Sequence, residues 1–223
     1  MTKLKDFIVI IPARGGSKRV PNKNIKLLNN KPLITYSIEY ALRFFLKENI
    51  WVNSDSEEIL NIGLQYGTRT YKRNYKLAKD DTKTIDVIKD QLLNINIDFK
   101  YVILLQPTTP FRPENLISKA IDLLETNKEE SLFTVSPIEK KIGKIKQNQF
   151  TPLNYKYGQR SQDLNKLYYE NGNLYITTVD LILNGKIMDK NSYPLVTEGI
   201  ESLIDIDTHN DFKLAELVIK SWK

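Results

Sequence analysis

The chain of 223 residues contains no cysteine. Disulfides, thiolate-bound metals and cysteine nucleophiles are therefore excluded together. A single histidine, His209, rules out histidine-rich zinc sites and the paired histidines of a metalloprotease helix. It reads as a surface residue at a helix start and is left out of the candidate site. No stretch approaches the roughly 18 apolar residues of a membrane span. The longest early run, Phe7-Ile8-Val9-Ile10-Ile11, follows Lys3 and Lys5 but is too short for a signal peptide. Pro12-Ala13-Arg14 ends it, so a buried strand is expected, in a soluble, cytoplasmic chain with no membrane partner. Arginine is scarce as well, 7 residues against 26 lysines. The net charge of +6 is spread along the chain, which suits solvated faces, with acidic small substrates or nucleic acid as alternatives. No basic block is interleaved with aromatics, so no nucleic-acid partner is expected.

What is present is a globular composition, 41% hydrophobic and 27% charged. One domain over 1–223 is expected. After the strand at 6–12 comes a polar loop, 13–31, and then a helix over 32–46, with Pro32 in its first turn and Leu33, Ile34, Ile38, Ala41, Leu42 and Phe45 at helical spacing. Ile50-Trp51-Val52 reads as a strand, and Ser56-Glu57-Glu58 opens a helix to about Tyr66. Thr82 or Thr84 opens another helix, to about Leu93. Tyr101–Leu105 is a buried strand, Pro113 starts a helix to about Glu125, and Ser131–Ser136 is a further strand. Leu174-Tyr175-Ile176 is a strand, and the last helix runs from about His209 to Trp222. This alternation predicts an α/β fold, a mainly parallel sheet with helices on both faces. The rhythm fails over 137–170, where lysines surround single apolar residues and Phe150, Tyr155 and Tyr157 follow. A hairpin or an excursion from the sheet fits that stretch.

Ligands of open α/β sheets bind beyond the carboxyl ends of the strands, and three polar clusters fall there. The first is Ala13-Arg14-Gly15-Gly16-Ser17-Lys18-Arg19, then Pro21-Asn22-Lys23-Asn24. Paired glycines let the backbone turn and aim N–H groups at an anion. Arg14, Lys18, Arg19 and Lys23 put four positive charges within ten residues, which suits a polyphosphate. No Gly-Lys-Ser/Thr closes the loop and no Gly-x-Gly occurs, so it is neither a Walker loop nor a dinucleotide fingerprint. An ordinary basic surface turn has the same composition; the position behind the first buried strand favours phosphate. The second cluster is Gln106-Pro107-Thr108-Thr109-Pro110-Phe111-Arg112, equally a polar binding loop or a plain strand-to-helix connector. The third is Asp205-Ile206-Asp207. Alternate residues of an extended segment share a side, and two carboxylates on one side repel unless a cation sits near them. Mg²⁺ uses one or two carboxylates plus substrate phosphates. The other reading makes Asp207 or Thr208 the cap of the last helix.

Together these segments resemble CMP-N-acetylneuraminate synthetases, the N-acylneuraminate cytidylyltransferases. The resemblance runs through Ile11–Asn24, Lys31-Pro32-Leu33-Ile34, Arg73 with Leu77-Ala78-Lys79-Asp80, Leu105–Pro110, Asn171-Gly172-Asn173-Leu174-Tyr175 and Ile204–Thr208, over about 10–220. It implies a Rossmann-like nucleotidyltransferase that joins CMP from CTP to an acidic nine-carbon (nonulosonic) sugar, with Mg²⁺ or Mn²⁺ as cofactor. By that resemblance Arg14, Lys23 and Asp207 are the catalytic residues and Asp205 and Asp207 the metal carboxylates. Ala13, Gly15, Gly16, Ser17, Lys18 and Asn24 belong to its phosphate loop. Arg73 and Thr84 border the nucleotide, Gln106 contacts the sugar, and Arg160 is the one basic residue kept from a usual pair. Asn53-Ser54-Asp55 stands where Ser-Thr-Asp is more usual. The excursion over 137–170 implies a homodimer. Transfer to 3-deoxy-manno-octulosonate, or a non-catalytic nucleotide-binding protein of the same fold, is the alternative; Pro21-Asn22-Lys23-Asn24 favours the nonulosonate branch.

Overall fold

The computed structural model describes residues 4–96 and 98–221. In chain order they form β1 (Phe7–Pro12), β2 (Leu27–Leu28), β3 (Lys31–Pro32), α1 (Leu33–Leu42), β4 (Ile50–Ser54), α2 (Glu57–Gln65), β5 (Arg69–Lys72) and α3 (Thr84–Asn94). Then come β6 (Tyr101–Leu104), α4 (Leu116–Asn127), β7 (Ser131–Ile138), β8 (Gly143–Lys146), β9 (Gln149–Pro152), β10 (Leu167–Thr178), α5 (Val179–Leu183), β11 (Tyr193–Val196) and α6 (His209–Ser221). The expected helix end at Trp222 lies outside the described residues.

Seven strands form one sheet in the order β11-β7-β10-β6-β1-β4-β5. Strand β1 runs parallel to β4 and β6, β4 to β5, and β7 to β11. Only β10 is reversed, antiparallel to both β6 and β7. The apolar run of β1 explains its central place, since Phe7 to Ile11 are all 0% exposed. Phe7, Val9 and Ile11 pack with Ile34 and Ile38 of α1 and Ile117 of α4 on one face. Ile8 and Ile10 pack with Ile88 of α3 and Ile182 of α5 on the other. A strand buried on both faces reads as a continuous hydrophobic run, as this one does.

Departures from the expected elements have local causes. Helix α1 stops at Leu42, where the ladder tightens: Arg43 donates its N–H to the Tyr40 carbonyl and Phe44 to the Ala41 carbonyl, each three residues back. That turn brings the Phe45 ring to 6.0 Å from Phe7. Strand β5 was not expected; four residues with a basic residue at each end carry too little pattern. Helix α4 begins at Leu116, later than Pro113. The stretch 137–170 holds the β8–β9 hairpin, in which the Phe150 ring covers Gly143 so closely that a Cβ there would meet it at 2.1 Å.

Candidate functional site

The carboxyl ends of β1, β5 and β6 open onto one cleft of about 390 Å³. Arg14, Ser17, Lys23 and Asn24 line it from the loop after β1. Arg73 follows β5, Thr84 opens α3, Gln106 follows β6, and Asp205 and Asp207 precede α6; all five line the same cleft. Lys18 lies in an adjoining basin with Arg14, Arg19 and Lys23. Arg160 stands apart, 70% exposed and paired with Asp163 at 2.8 Å.

The loop after β1 is shaped by short-range geometry. Asn22 takes the left-handed conformation at φ 53°, which asparagine tolerates, and its carbonyl accepts from Ile25 and Lys26. That turn aims Lys23 across the cleft, where its Nζ donates to the Ile206 carbonyl at 2.6 Å and to Asp207 Oδ1 at 3.1 Å. Asn24 Nδ2 donates to the Arg14 carbonyl at 2.9 Å, bracing the loop from within. Gly15 is fixed sterically, because a Cβ there would stand 2.9 Å from Ser56 Cβ. Its N–H donates to Asp55 Oδ1, and the Ala13 N–H donates to the Asn53 carbonyl. Two of the N–H groups expected to face an anion are therefore engaged by the protein, and the loop's positive side chains carry the electrostatics.

Arg73 is 6% exposed and holds both Asn53 Oδ1 (2.8 Å) and the Asn53 carbonyl (3.1 Å). Asn53 in turn donates to Gln91 Oε1 at 2.8 Å, so β4, β5 and α3 are joined beneath the cleft. Burial lowers the Arg73 pKa to about 10, and Arg14 adds to that; the guanidinium still carries its charge at neutral pH.

The acidic pair is built by alternation. Ile204 and Ile206 are 2% and 0% exposed, buried with Val20, Leu28, Leu33, Phe111 and Phe212. Asp205 and Asp207 consequently face the cleft together. Loss of water pushes the Asp205 carboxyl above its ordinary pKa, with Asp207 adding to the rise against a hydrogen bond from Thr108. Asp207 is met by Lys23 and, at 3.1 Å, by Arg19 Nη1. Two carboxylates, one of them destabilised as an anion, suit a hard divalent cation that arrives with phosphate oxygens. Among the described residues no third acidic or histidine side chain joins them in a metal-binding group. The pair fits a cation shared with a ligand rather than a closed protein cage. Helix capping falls to other residues: Asp211 Oδ2 accepts from the N–H of Thr208 (2.7 Å) and of Asp207 (3.0 Å), and Thr208 Oγ1 accepts from the Asp211 N–H (3.3 Å).

Sequence reasoning named two residues here without seeing their surroundings. Asp80 pairs with both Arg14 and Lys18. Arg112 is 5% exposed, and no sequence signal marks a buried arginine after a proline-rich turn.

Residues 8–216 match the family described as Cytidylyltransferase. A CMP-N,N'-diacetyllegionaminic acid synthase of Legionella pneumophila is 35% identical, over 96% of this chain and 96% of that protein. A pseudaminic acid cytidylyltransferase of Campylobacter jejuni is 32% identical, again over 96% of each. An N-acylneuraminate cytidylyltransferase of Streptococcus agalactiae is 33% identical over 92% of this chain and 51% of its own length. Among solved structures, a CMP:2-keto-3-deoxy-manno-octonic acid synthetase complexed with CTP superposes with a TM-score of 0.71 at 14% identity, covering 97% of this chain and 99% of that one. A 4-diphosphocytidyl-2C-methyl-D-erythritol synthase from Anaerococcus prevotii gives 0.67 at 16% identity, covering 98% and 100%. At such identities the likeness is one of fold.

Proposed function

This chain belongs to the cytidylyltransferase family, and we propose that it joins CMP from CTP to the anomeric hydroxyl of a nonulosonic acid, releasing pyrophosphate. The observation that carries this reading is the convergence in one cleft of Arg14 and Lys23 with Asp205 and Asp207, cations and carboxylates facing each other across a space open to a triphosphate. The relatives matched over nearly their whole length act, by their names, on diacetyllegionaminic and pseudaminic acids. We therefore assign the acceptor to the diacetamido nonulosonic acids ahead of N-acetylneuraminic acid.

In this reaction the C2 hydroxyl of the acid attacks the α-phosphorus of CTP in line, and pyrophosphate leaves. Transfers of this kind depend chiefly on positioning and charge neutralisation. Arg14, Lys18 and Lys23 hold the triphosphate and take up charge developing on the departing pyrophosphate. Arg73 and Thr84 border the nucleoside, and Gln106 orients the acid. Asp205 and Asp207 would hold Mg²⁺ or Mn²⁺, which when bound neutralises phosphate charge and lowers the pKa of a hydroxyl it touches.

The assembly proposed is a homodimer formed by the excursion, working in the cytoplasm. Ile145 (75%), Phe150 (41%), Leu153 (62%), Tyr157 (73%) and Tyr168 (47%) leave a contiguous stretch of chain with large apolar side chains in solvent, the residue types that fill protein interfaces. Arg160 sits on the same excursion, so in this reading its contact with substrate is made through the dimer. No helix among the described residues is long and apolar enough to cross a membrane.

The test is pyrophosphate release with CTP, UTP, ATP and GTP against a panel of legionaminic, pseudaminic, N-acetylneuraminic and 3-deoxy-manno-octulosonic acids. Release confined to CTP with a nonulosonic acid is expected. Equal rates with UTP, or release with no acid of the panel, would overturn the reading.

A further inference from the structure

We propose that Arg112 is a positioning residue of the acceptor half of the cleft, its guanidinium fixing the backbone that presents Gln106 and, through Thr108, the Asp205–Asp207 segment. The assignment of Gln106 to the acceptor rests on the function proposed above.

The guanidinium makes four hydrogen bonds to three segments of chain: α1, the loop after β6, and β10. Nε donates to the Asn173 carbonyl at 2.7 Å and Nη1 to Ser37 Oγ at 3.1 Å. Nη2 donates to the Gln106 carbonyl at 2.7 Å and to Thr109 Oγ1 at 3.1 Å. None of the ion pairs among the described residues involves Arg112; the Tyr40 ring, 5.7 Å away, is what faces the cation. Burial lowers its pKa to about 10, which leaves it protonated at neutral pH. A buried cation without a counter-ion costs free energy that a well-packed neutral side chain would not. For folding alone the arginine is a poor choice. As a rigid planar fork that gathers carbonyls from separate strands it has no substitute among the side chains.

One of the carbonyls it gathers, that of Gln106, belongs to a residue that lines the cleft. Gln106 is held from behind by Arg112 while its side-chain oxygen lies against Gly172, where a Cβ would approach it to 2.9 Å. Gly172 has φ +72°, and its carbonyl accepts from Thr109 Oγ1 at 3.1 Å. Two residues beyond Gln106, the Thr108 carbonyl accepts from the Ile206 N–H at 2.7 Å. One guanidinium thus sets the loop against which both the Gln106 side chain and the acidic pair are registered. The loop after β1, with Arg14, Ser17 and Asn24, makes no hydrogen bond to the Arg112 guanidinium. The effect should therefore divide between the two substrates.

The experiment uses Arg112→Lys and Ser37→Ala, the second removing one acceptor with little loss of packing. Melting, CTP binding by calorimetry, steady-state kinetics in each substrate, and amide hydrogen exchange are measured. For Arg112→Lys the KM for the acid should rise at least about tenfold while CTP affinity measured without added divalent cation stays within about twofold, the scale expected of a small displacement of a substrate-orienting group. Ser37→Ala should move in the same direction by less. Exchange should quicken in the 104–110 and 170–175 segments and not in 13–25. An unchanged KM for the acid, or losses for CTP and acid that fall together with melting temperature, would overturn the positioning role. Exchange decides the matter even without turnover: a wild-type chain inactive on every acid would sink the functional reading, while local or uniform loosening would still support or refute the role of Arg112. Should Arg112→Lys fail to fold, Ser37→Ala carries the same comparison.

Discussion

The Asp80 carboxylate lies 2.5 Å from the Arg14 guanidinium, bound to a cation assigned to the triphosphate. Its other oxygen lies 2.5 Å from Lys18 Nζ. The Lys18 hydrogen bond and then that of Arg14 hold the carboxyl below its ordinary pKa, so the contact persists through the neutral range. On the proposed function, an incoming triphosphate has to displace it.

Asp80→Asn should accordingly bind CTP more tightly, by about two- to fivefold, the scale of exposed ion pairs. Calorimetry with CTP in the absence of acid checks this. Weaker binding would mean that Asp80 orders the loop rather than competing for it.

Arg14→Ala and Lys23→Ala should each lower the rate strongly with little change in melting temperature. Arg14 is partly exposed, and Lys23 lies along the cleft wall rather than in an apolar cluster, so neither truncation opens the hydrophobic core. Arg14→Lys should be impaired too, because a point charge does not reproduce a planar fork. Near-normal rates in all three variants would refute the assignment of this loop.

Asp207→Asn should lose activity by orders of magnitude and recover it at most in part with added Mg²⁺ or Mn²⁺. Stability should hold for Asp207→Ala as well, since Asp211 and Thr208 cap α6. Loss of about 1 kcal/mol is expected instead for Thr208→Ala, the usual scale of a lost cap. Denaturant melts of the three variants beside their rates separate the two roles; an active Asp207→Asn enzyme would remove Asp207 from the chemistry.

Gly172→Ala should destabilise the fold by roughly 1 kcal/mol or more, because an L side chain is strained at that positive φ. It should also raise the KM for the acid, since the added methyl pushes on the Gln106 amide. A variant stable to melting and normal in acid KM would show that Gln106 has room to move.

Much of this was legible in the sequence where a single period or a dense cluster carried it. The unbroken run Phe7–Ile11 fixed the central strand, and the alternation Asp205-Ile206-Asp207 placed both carboxylates on one side. The reversal of β10 was not legible, because Leu174-Tyr175-Ile176 looks the same in either direction and pairing is decided by its neighbours. Strand β5 was lost for shortness. The capping of α6 was legible only as a choice between Asp207 and Thr208, both good caps; the hydrogen bonds exchanged with Asp211 decide for Thr208. Arg112 was seen as a donor in a loop; its burial depends on Ser37 and Asn173, far away in the chain.

Lys23 and Ile206, joined by one hydrogen bond, are 183 positions apart. Around that bond Val20, Leu28 and Leu33 share a small apolar cluster with Ile204, Ile206 and Phe212. During synthesis, which proceeds from the N-terminus, the first partners of this cluster emerge long before the last. A ribosome-bound chain that has not yet delivered residues 204–212 leaves Val20 and Leu28 without Ile204, Ile206 and Phe212, and Lys23 without its partners Ile206 and Asp207. The cleft that holds Lys23, Asp205 and Asp207 is thus completed late in translation.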